Sequence, residues 1–295
     1  MQIRRCEPVA PVRAHRPWRP SRLRYRYVSN LQLRLLTAAI GLPLVAGIAW
    51  YGGWPFALVA GAIGLLATME FVHGWLIPSM PIRQVIPQIP TFAIAPIVVV
   101  AAYLDPKLVF GGLAFAGLFA LLGYAPTNAI GPRKPYRVYA WAVIYLGVLL
   151  STFVLVRDVE DGRKWFFLGL LATFAVDTGA YAVGRLIGRH KMAPKISPKK
   201  TWEGAAGGTV AGFAAVFALN SWFDTGVANA TILHLAIALP PAAILGDLLE
   251  SWMKRRMGVK DASGLLPGHG GFMDRLDSLL FVFPVLYVFL QVRVL

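Results

Sequence analysis

Nine apolar blocks of about 16–22 residues, set apart by short polar connections, fill most of this chain. That is the length at which a helix crosses the ~30 Å hydrocarbon core of a bilayer. In that solvent only helices and closed barrels satisfy their own backbone. The blocks fall at 35–51, 54–76, 89–104, 108–124, 139–156, 165–184, 207–223, 231–252 and 277–294. The third is short and interrupted by Pro90 and Pro96, so eight spans is the alternative count. With 57% hydrophobic and 15% charged residues, and a mean hydropathy of +0.60, a soluble domain of 295 residues would lack the polar surface to cover itself. The expected fold is an all-α, polytopic transmembrane helix bundle of about nine spans, with a cytosolic N-terminus.

The orientation comes from the charges. Lys and Arg number 29 against 14 Asp and Glu, a net +15. In a soluble protein a pI near 10.3 would raise nucleic-acid binding first. Here the basic residues sit between apolar blocks, which is the positive-inside pattern of a membrane protein. If the N-terminus is inside, loops 77–88, 125–138, 185–206 and 253–276 join it and together hold 24 of the 29 basic residues. Only Lys107, Arg157, Arg163, Lys164 and Arg293 remain outside. The partners expected are therefore membrane lipids and not nucleic acid, and the expected location is the cell inner (plasma) membrane, crossed many times.

Residues 1–34 carry nine arginines and a single acid, Glu7, with no apolar h-region, so they are not a cleavable secretory signal. Such a composition also occurs in organelle transit peptides. The favoured reading is a disordered cytosolic tail held to anionic headgroups, each basic residue contributing about 1 kcal/mol near the surface. The lone cysteine, Cys6, excludes an intramolecular disulfide and a thiolate metal site. The chain then divides into the tail 1–34, N-terminal spans 35–160, and a C-terminal region 161–295 whose cytosolic-face loops carry the chemistry.

That chemistry first shows as acids inside apolar segments. An Asp at the bilayer centre costs about 2.5–3.5 kcal/mol on insertion scales, so one that is retained serves a partner or a pathway. Asp177 lies in FAVDTGAYAVGR with Tyr181 and Gly184 at i+4 and i+7, all on one helix face. Asp247 and Glu250 end a block in GDLLESWMKRR, sharing a face with Ser251. A plainer reading pairs these acids with Arg185 and Lys254 as structural ion pairs.

The stretch SWMKRRMGVKDASGLLPGHGGFMDRLD, residues 251–277, adds Lys254, Arg255, Lys260, Asp261, His269, Gly270, Gly271, Asp274, Arg275 and Asp277. Asp274 and Asp277, three apart in an incipient helix, can aim both carboxylates at one spot. Two or three oxygen ligands plus substrate phosphates are how Mg²⁺ is usually held. Lys and Arg beside such a site balance phosphate charge, and a Gly-Gly turn lets backbone N–H groups approach an anion. This combination spells a polyphosphate–Mg²⁺ site. His269 is weak on its own, since a turn histidine is more often a hydrogen-bonding scaffold than a base.

In HKMAPKISPKKTWEG, residues 190–204, Ser197 followed by Pro198 has the pattern of an N-cap with proline at N1. That would place Lys199, Lys200 and Thr201 in a first helical turn, where anions bind. The GxxxxG of a P-loop is missing, so an ATPase is rejected. Gly204, Gly208 and Gly212 stand at GxxxG spacing and predict close helix packing, within the bundle or between subunits.

These blocks resemble a known family. Ser251, Lys254-Arg255, Lys260-Asp261, Ser263, Leu266-Pro267, His269-Gly270-Gly271, Asp274-Arg275 and Asp277 resemble the signature of phosphatidate cytidylyltransferases, or CDP-diacylglycerol synthases. Asp177-Thr178-Gly179-Ala180-Tyr181 with Gly184-Arg185, and Ser197-Pro198 with Lys200-Thr201-Trp202-Glu203-Gly204, extend the likeness over about residues 170–285. Lys199 departs from it, standing where glycine is expected. The resemblance implies transfer of a cytidylyl group from CTP to phosphatidate, with Mg²⁺ or Mn²⁺ as cofactor, a monovalent cation left open, and a homodimer. Asp247, Asp274 and Asp277 are then expected to hold the divalent ion, while Lys254, Lys260 and Arg275 stabilise phosphates. Ser197, Lys200 and Thr201 would steady the triphosphate or the lipid headgroup. Asp177, Tyr181, Ser251, Arg255, Asp261, His269, Gly270 and Gly271 complete the expected substrate contacts, with Asp177 against metal or cytidine. Two rival readings are a transporter, which would need charges near mid-span in several helices of residues 35–156, where only Glu70 is found, and a CTP-dependent enzyme for an isoprenoid-ether or polyprenol lipid.

Overall fold

The computed structural model describes residues 30–76, 92–124, 134–266 and 270–294. Helices α1 (Asn30–Tyr51), α2 (Gly53–Leu76), α3 (Ile94–Leu104) and α4 (Leu108–Tyr124) come first. Helix α5 follows over 134–158, continuous through a π-helical stretch at Val143–Val148. The second half holds α6 (Gly162–Ile187), a hairpin of β1 (Lys191–Ala193) and β2 (Ser197–Thr201), α7 (Trp202–Phe223) and α8 (Asn229–Met257). A single turn α9 (Met273–Leu276) and α10 (Leu279–Arg293) close it. Among the described residues α2, α5, α6, α7 and α8 are long and apolar enough to cross a membrane, and α1, α3, α4 and α10 supply shorter apolar stretches. The protein is an all-α membrane bundle, with one small hairpin among the described residues. Residues 1–29 of the tail, the loop 77–88, the start of the third apolar block, most of the loop 125–138 and His269 lie outside the described residues, while residues 30–34, read as tail, begin α1.

Consecutive helices run back and forth, so their ends sort into two groups. At one end Arg157 donates to the last carbonyls of α1, Ala49 O at 2.5 Å and Trp50 O at 2.8 Å. Arg163 lies over the Trp50 ring there, and Lys164 donates to Asp224 O. The exposed rings of Trp50, Tyr51, Trp54 and Trp222 mark this end as a bilayer–water boundary. At the opposite end Gly74 of α2 faces Met257 of α8, and Arg255 donates to Ile196 O of the hairpin turn at 3.1 Å. Between the ends, Phe153 of α5 stacks on Phe283 of α10 with centroids 4.0 Å apart, inside a core that includes Phe71, Trp165 and Leu239.

The glycine ladder of α7 packs within the chain. A Cβ on Gly204 would sit 2.8 Å from Ala180 O, and one on Gly208 equally close to Val176 O, so α6 and α7 meet backbone to backbone. Only residues without a Cβ allow that approach.

The start of α7 corrects the sequence reading. Ser197 is not its N-cap and Lys199, Lys200 and Thr201 are not its first turn. They are strand β2, antiparallel to β1 with Lys191 opposite Thr201 and Ala193 opposite Ser197. Thr201 is the cap: its backbone is extended (φ −127, ψ 156) and its Oγ1 accepts from Gly204 N at 3.1 Å. Glu203, in the first turn, accepts from His190 N at 3.2 Å and faces His190 Nδ1 at 2.6 Å, which closes the hairpin against the helix. Two cap-like residues four apart competed, and the one whose flanking strand has a pairing partner won.

Candidate active site

The hairpin, the last turns of α6, the first of α7, the second half of α8 and the lead into α10 enclose a cavity of about 470 Å³. Asp177, Tyr181 and Gly184 line it from α6, their 3.6-residue spacing placing them on one face. Lys199, Lys200 and Thr201 enter from β2, Asp247 from α8, and Asp277 from the segment between α9 and α10. The Lys200 ammonium lies 2.5 Å from Asp247 Oδ2. Arg185 donates to the Tyr181 hydroxyl at 2.6 Å rather than pairing with Asp177.

Three carboxylates converge beside this cavity. Asp247, Glu250 and Asp277 each offer an oxygen within 4.8 Å of the others. Asp247 and Glu250 are one turn apart on α8, and Asp277 reaches them because α10 packs along α8. Glu250 is fully buried, and among the described residues neither of its oxygens has a hydrogen bond of good geometry. Lys254 faces it as an ion pair at 2.5 Å. A buried carboxylate short of donors beside two others is the donor set a hard divalent cation takes. The residues therefore fit Mg²⁺ or Mn²⁺.

Asp274 stands differently from the sequence expectation. It is not one of the three converging acids, where Glu250 stands beside Asp247 and Asp277. Its oxygens accept from Lys254 Nζ at 2.8 Å, Ala262 N at 2.9 Å and Gly271 N at 2.7 Å. Gly270, at φ +82, turns the chain so that the following amide meets this carboxylate. Burial alone would raise the Asp274 pKa, but the Lys254 and Gly271 hydrogen bonds outweigh it and hold the group below the usual aspartate value. The Gly-Gly turn does present an amide, that of Gly271, to an anion, and that anion is the protein's own Asp274.

The remaining expected residues are spread around this centre. Arg255 holds the hairpin through Ile196 O and also donates to Val259 O. Lys260, Asp261 and Arg275 are exposed at the same end, Ser251 is half-buried on α8, and Ser197 opens β2. One buried acid that the motifs do not contain also reaches this region: Glu70 of α2 accepts from Ser263 Oγ, Phe272 N and Met273 N. Its only sequence signal was being the lone charge inside the first apolar blocks.

The model of the family described as "Cytidylyltransferase family" matches residues 32–293, nearly the whole chain. The chain belongs to the cytidylyltransferase family. Among curated cytidylyltransferases, the phosphatidate cytidylyltransferase of Staphylococcus epidermidis is 32% identical over 265 residues, covering 88% of this chain and 99% of its own. That of Mycobacterium bovis is 36% identical over 257 residues, covering 82% of each chain. That of Bacillus subtilis reaches 40% over 152 residues, 50% of this chain and 56% of its own. The alignment with the cytidylyltransferase family takes in α2 and α5 as well as the C-terminal motifs, so the likeness is to a whole bundle.

Proposed function

We propose that the chain transfers the cytidylyl group of CTP to phosphatidate, giving CDP-diacylglycerol and pyrophosphate for phospholipid synthesis. The observation that carries this reading is the convergence of Asp247, Glu250 and Asp277 beside a cavity lined by Lys199 and Lys200, in a chain whose residues 32–293 match the family. A phosphatidate phosphate oxygen attacks the α-phosphorus of CTP in line. A new P–O bond forms to the lipid phosphate, the bond to the bridging oxygen of the β-phosphate breaks, and pyrophosphate leaves. The nucleophile is already an anion, so no base is needed, and rate comes from positioning and charge neutralisation.

Lys200, now paired with Asp247, is the cavity cation nearest the carboxylates, and we assign it to the triphosphate. Lys199 adds charge at the cavity wall. Asp177 and Tyr181, deeper along α6, are assigned to the nucleoside or the lipid phosphate, with Arg185 holding the Tyr181 hydroxyl. Lys254 fixes Glu250 and Asp274 relative to one another. A divalent cation held by Asp247, Glu250 and Asp277 would supply further compensation for phosphate charge. Lys260, Arg275 and Arg255, at the rim, are assigned to attracting the anionic substrates.

The charge distribution of the loops supports a cytosolic face for this end of the bundle, where CTP is found, and the bacterial relatives support the plasma membrane. A homodimer is proposed on the family resemblance alone. The test is to supply CTP labelled at its α-phosphate to the purified protein with dioleoyl phosphatidate and Mg²⁺. Label must enter the lipid phase, and only when phosphatidate is present. Label entering the lipid from the γ-phosphate would mean a kinase, and transfer only to an isoprenoid or polyprenol phosphate would keep the chemistry but change the lipid.

A further inference from the structure

We propose that Glu70 of α2 is a positioning residue for cytidylyl transfer: its carboxylate ties down Ser263 and the turn 270–274, and so sets the row Asp274–Lys254–Glu250 beside the site. The inference rests on the activity proposed above. Glu70 is 5% exposed in a mostly apolar helix that holds no other Asp, Glu, Lys or Arg, where an acid is costly unless it is fully engaged. Its Oε1 accepts from Ser263 Oγ at 2.6 Å and from Phe272 N at 3.0 Å, and its Oε2 from Met273 N at 2.9 Å. All three donors belong to the loop between α8 and α10, 193 residues or more along the chain. Gly271 lies so close that a Cβ there would come 2.7 Å from Glu70 Cδ.

Three successive amides, those of Gly271, Phe272 and Met273, therefore end on two carboxylates, Asp274 from within the turn and Glu70 from across the bundle. From Asp274 the row continues through Lys254, 2.8 Å from Asp274 and 2.5 Å from Glu250, and Glu250 is one of the three converging acids. Glu70 does not line the cavity, so it acts on the reaction through the turn it holds. Hydrogen-bond partners that directly orient metal ligands are worth about 10–100-fold in activity, and Glu70, which acts from further back through the turn, belongs at the low end of that range.

The experiment uses Glu70→Gln in the full-length protein, purified in detergent beside wild type. Glutamine keeps one acceptor but turns an NH₂ group toward backbone N–H donors, which breaks the clamp at nearly constant volume. The expected result is a fall in kcat per folded molecule of about 10-fold, with the KM for CTP close to that of wild type because no cavity-lining group has changed. Amide hydrogen exchange should rise in peptides covering 271–273 and stay unchanged in α6 and α7. Ser263→Ala, which removes one of the three bonds, should show a smaller loss of the same kind, and the double variant should be no worse than Glu70→Gln. The proposal is overturned if folded Glu70→Gln turns over like wild type, or if its lost activity is accounted for by its unfolded fraction. Should Glu70→Gln fail to fold, a Ser263→Ala enzyme with unchanged kcat and unchanged exchange overturns it equally. A wild-type protein that transfers no label defeats the proposed activity instead, and this inference with it.

Discussion

Replacing Lys254 with methionine removes one ammonium from between two acids and leaves most of the side-chain volume. In the native protein that ammonium lies 2.5 Å from Glu250 Oε2 and 2.8 Å from Asp274 Oδ1, with the two acid side chains only 0% and 5% exposed. Without it, two buried carboxylates confront each other with no intervening cation. Breaking a buried pair by removing one partner costs about 3–5 kcal/mol, because the charge left behind is uncompensated. The protein can meet that cost by loosening the turn 270–274 or by protonating Glu250, and either one spoils the acid cluster. Expressed as a barrier, the same energy is about a 10²–10⁴-fold loss of rate at 1.36 kcal/mol per tenfold. The assay is phosphatidate-dependent pyrophosphate release per folded molecule, with folding followed by tryptophan fluorescence on heating. Lys254→Arg, which keeps the charge, should retain part of the activity. A Lys254→Met protein with wild-type turnover and wild-type melting would refute the reasoning.

Further perturbations address other parts of the structure. Gly208→Val drives a branched side chain into Val176 O of α6, and should lower the melting temperature without changing the KM of whatever folded enzyme remains. Thr201→Val removes the α7 cap and should cost about 1 kcal/mol of stability, read in the same melting experiment. Asp274 has a folded pKa depressed below its unfolded value of about 3.9, so its contribution is complete above that value and is lost as pH falls through the folded pKa. The melting temperature should therefore fall more steeply between pH 4 and lower values in wild type than in Asp274→Asn. Chelation of divalent ions should abolish turnover, and adding Mg²⁺ back should restore it in wild type.

Much of the architecture was legible because lipid imposes a crude rule. Apolar blocks near 20 residues must be helices, and each expected block has a described helix over it, with the ends displaced by several residues. The glycine ladder was legible for a similar reason, since the close approach of α6 and α7 leaves no room for a Cβ. Ser197–Pro198 misled because a cap signal is local, whereas the choice of Thr201 depends on pairing with Lys191 ten residues earlier. Among the acids, spacing suggested that Asp274 and Asp277 act together. The turn at Gly270 instead gives Asp274 to backbone amides and Lys254, while α8 contributes Glu250 to the cluster. Glu70 was visible only as an oddity, because its partners lie some two hundred residues away and nothing in the intervening sequence encodes the contact.

The most direct test of the account follows pyrophosphate release by the purified protein with CTP, Mg²⁺ and dioleoyl phosphatidate, beside Asp277→Asn and Asp247→Asn. Release that requires phosphatidate in wild type and is lost in both variants, with their folding intact, is the predicted result. Release by wild type that ignores phosphatidate, or variants that turn over normally, would contradict it.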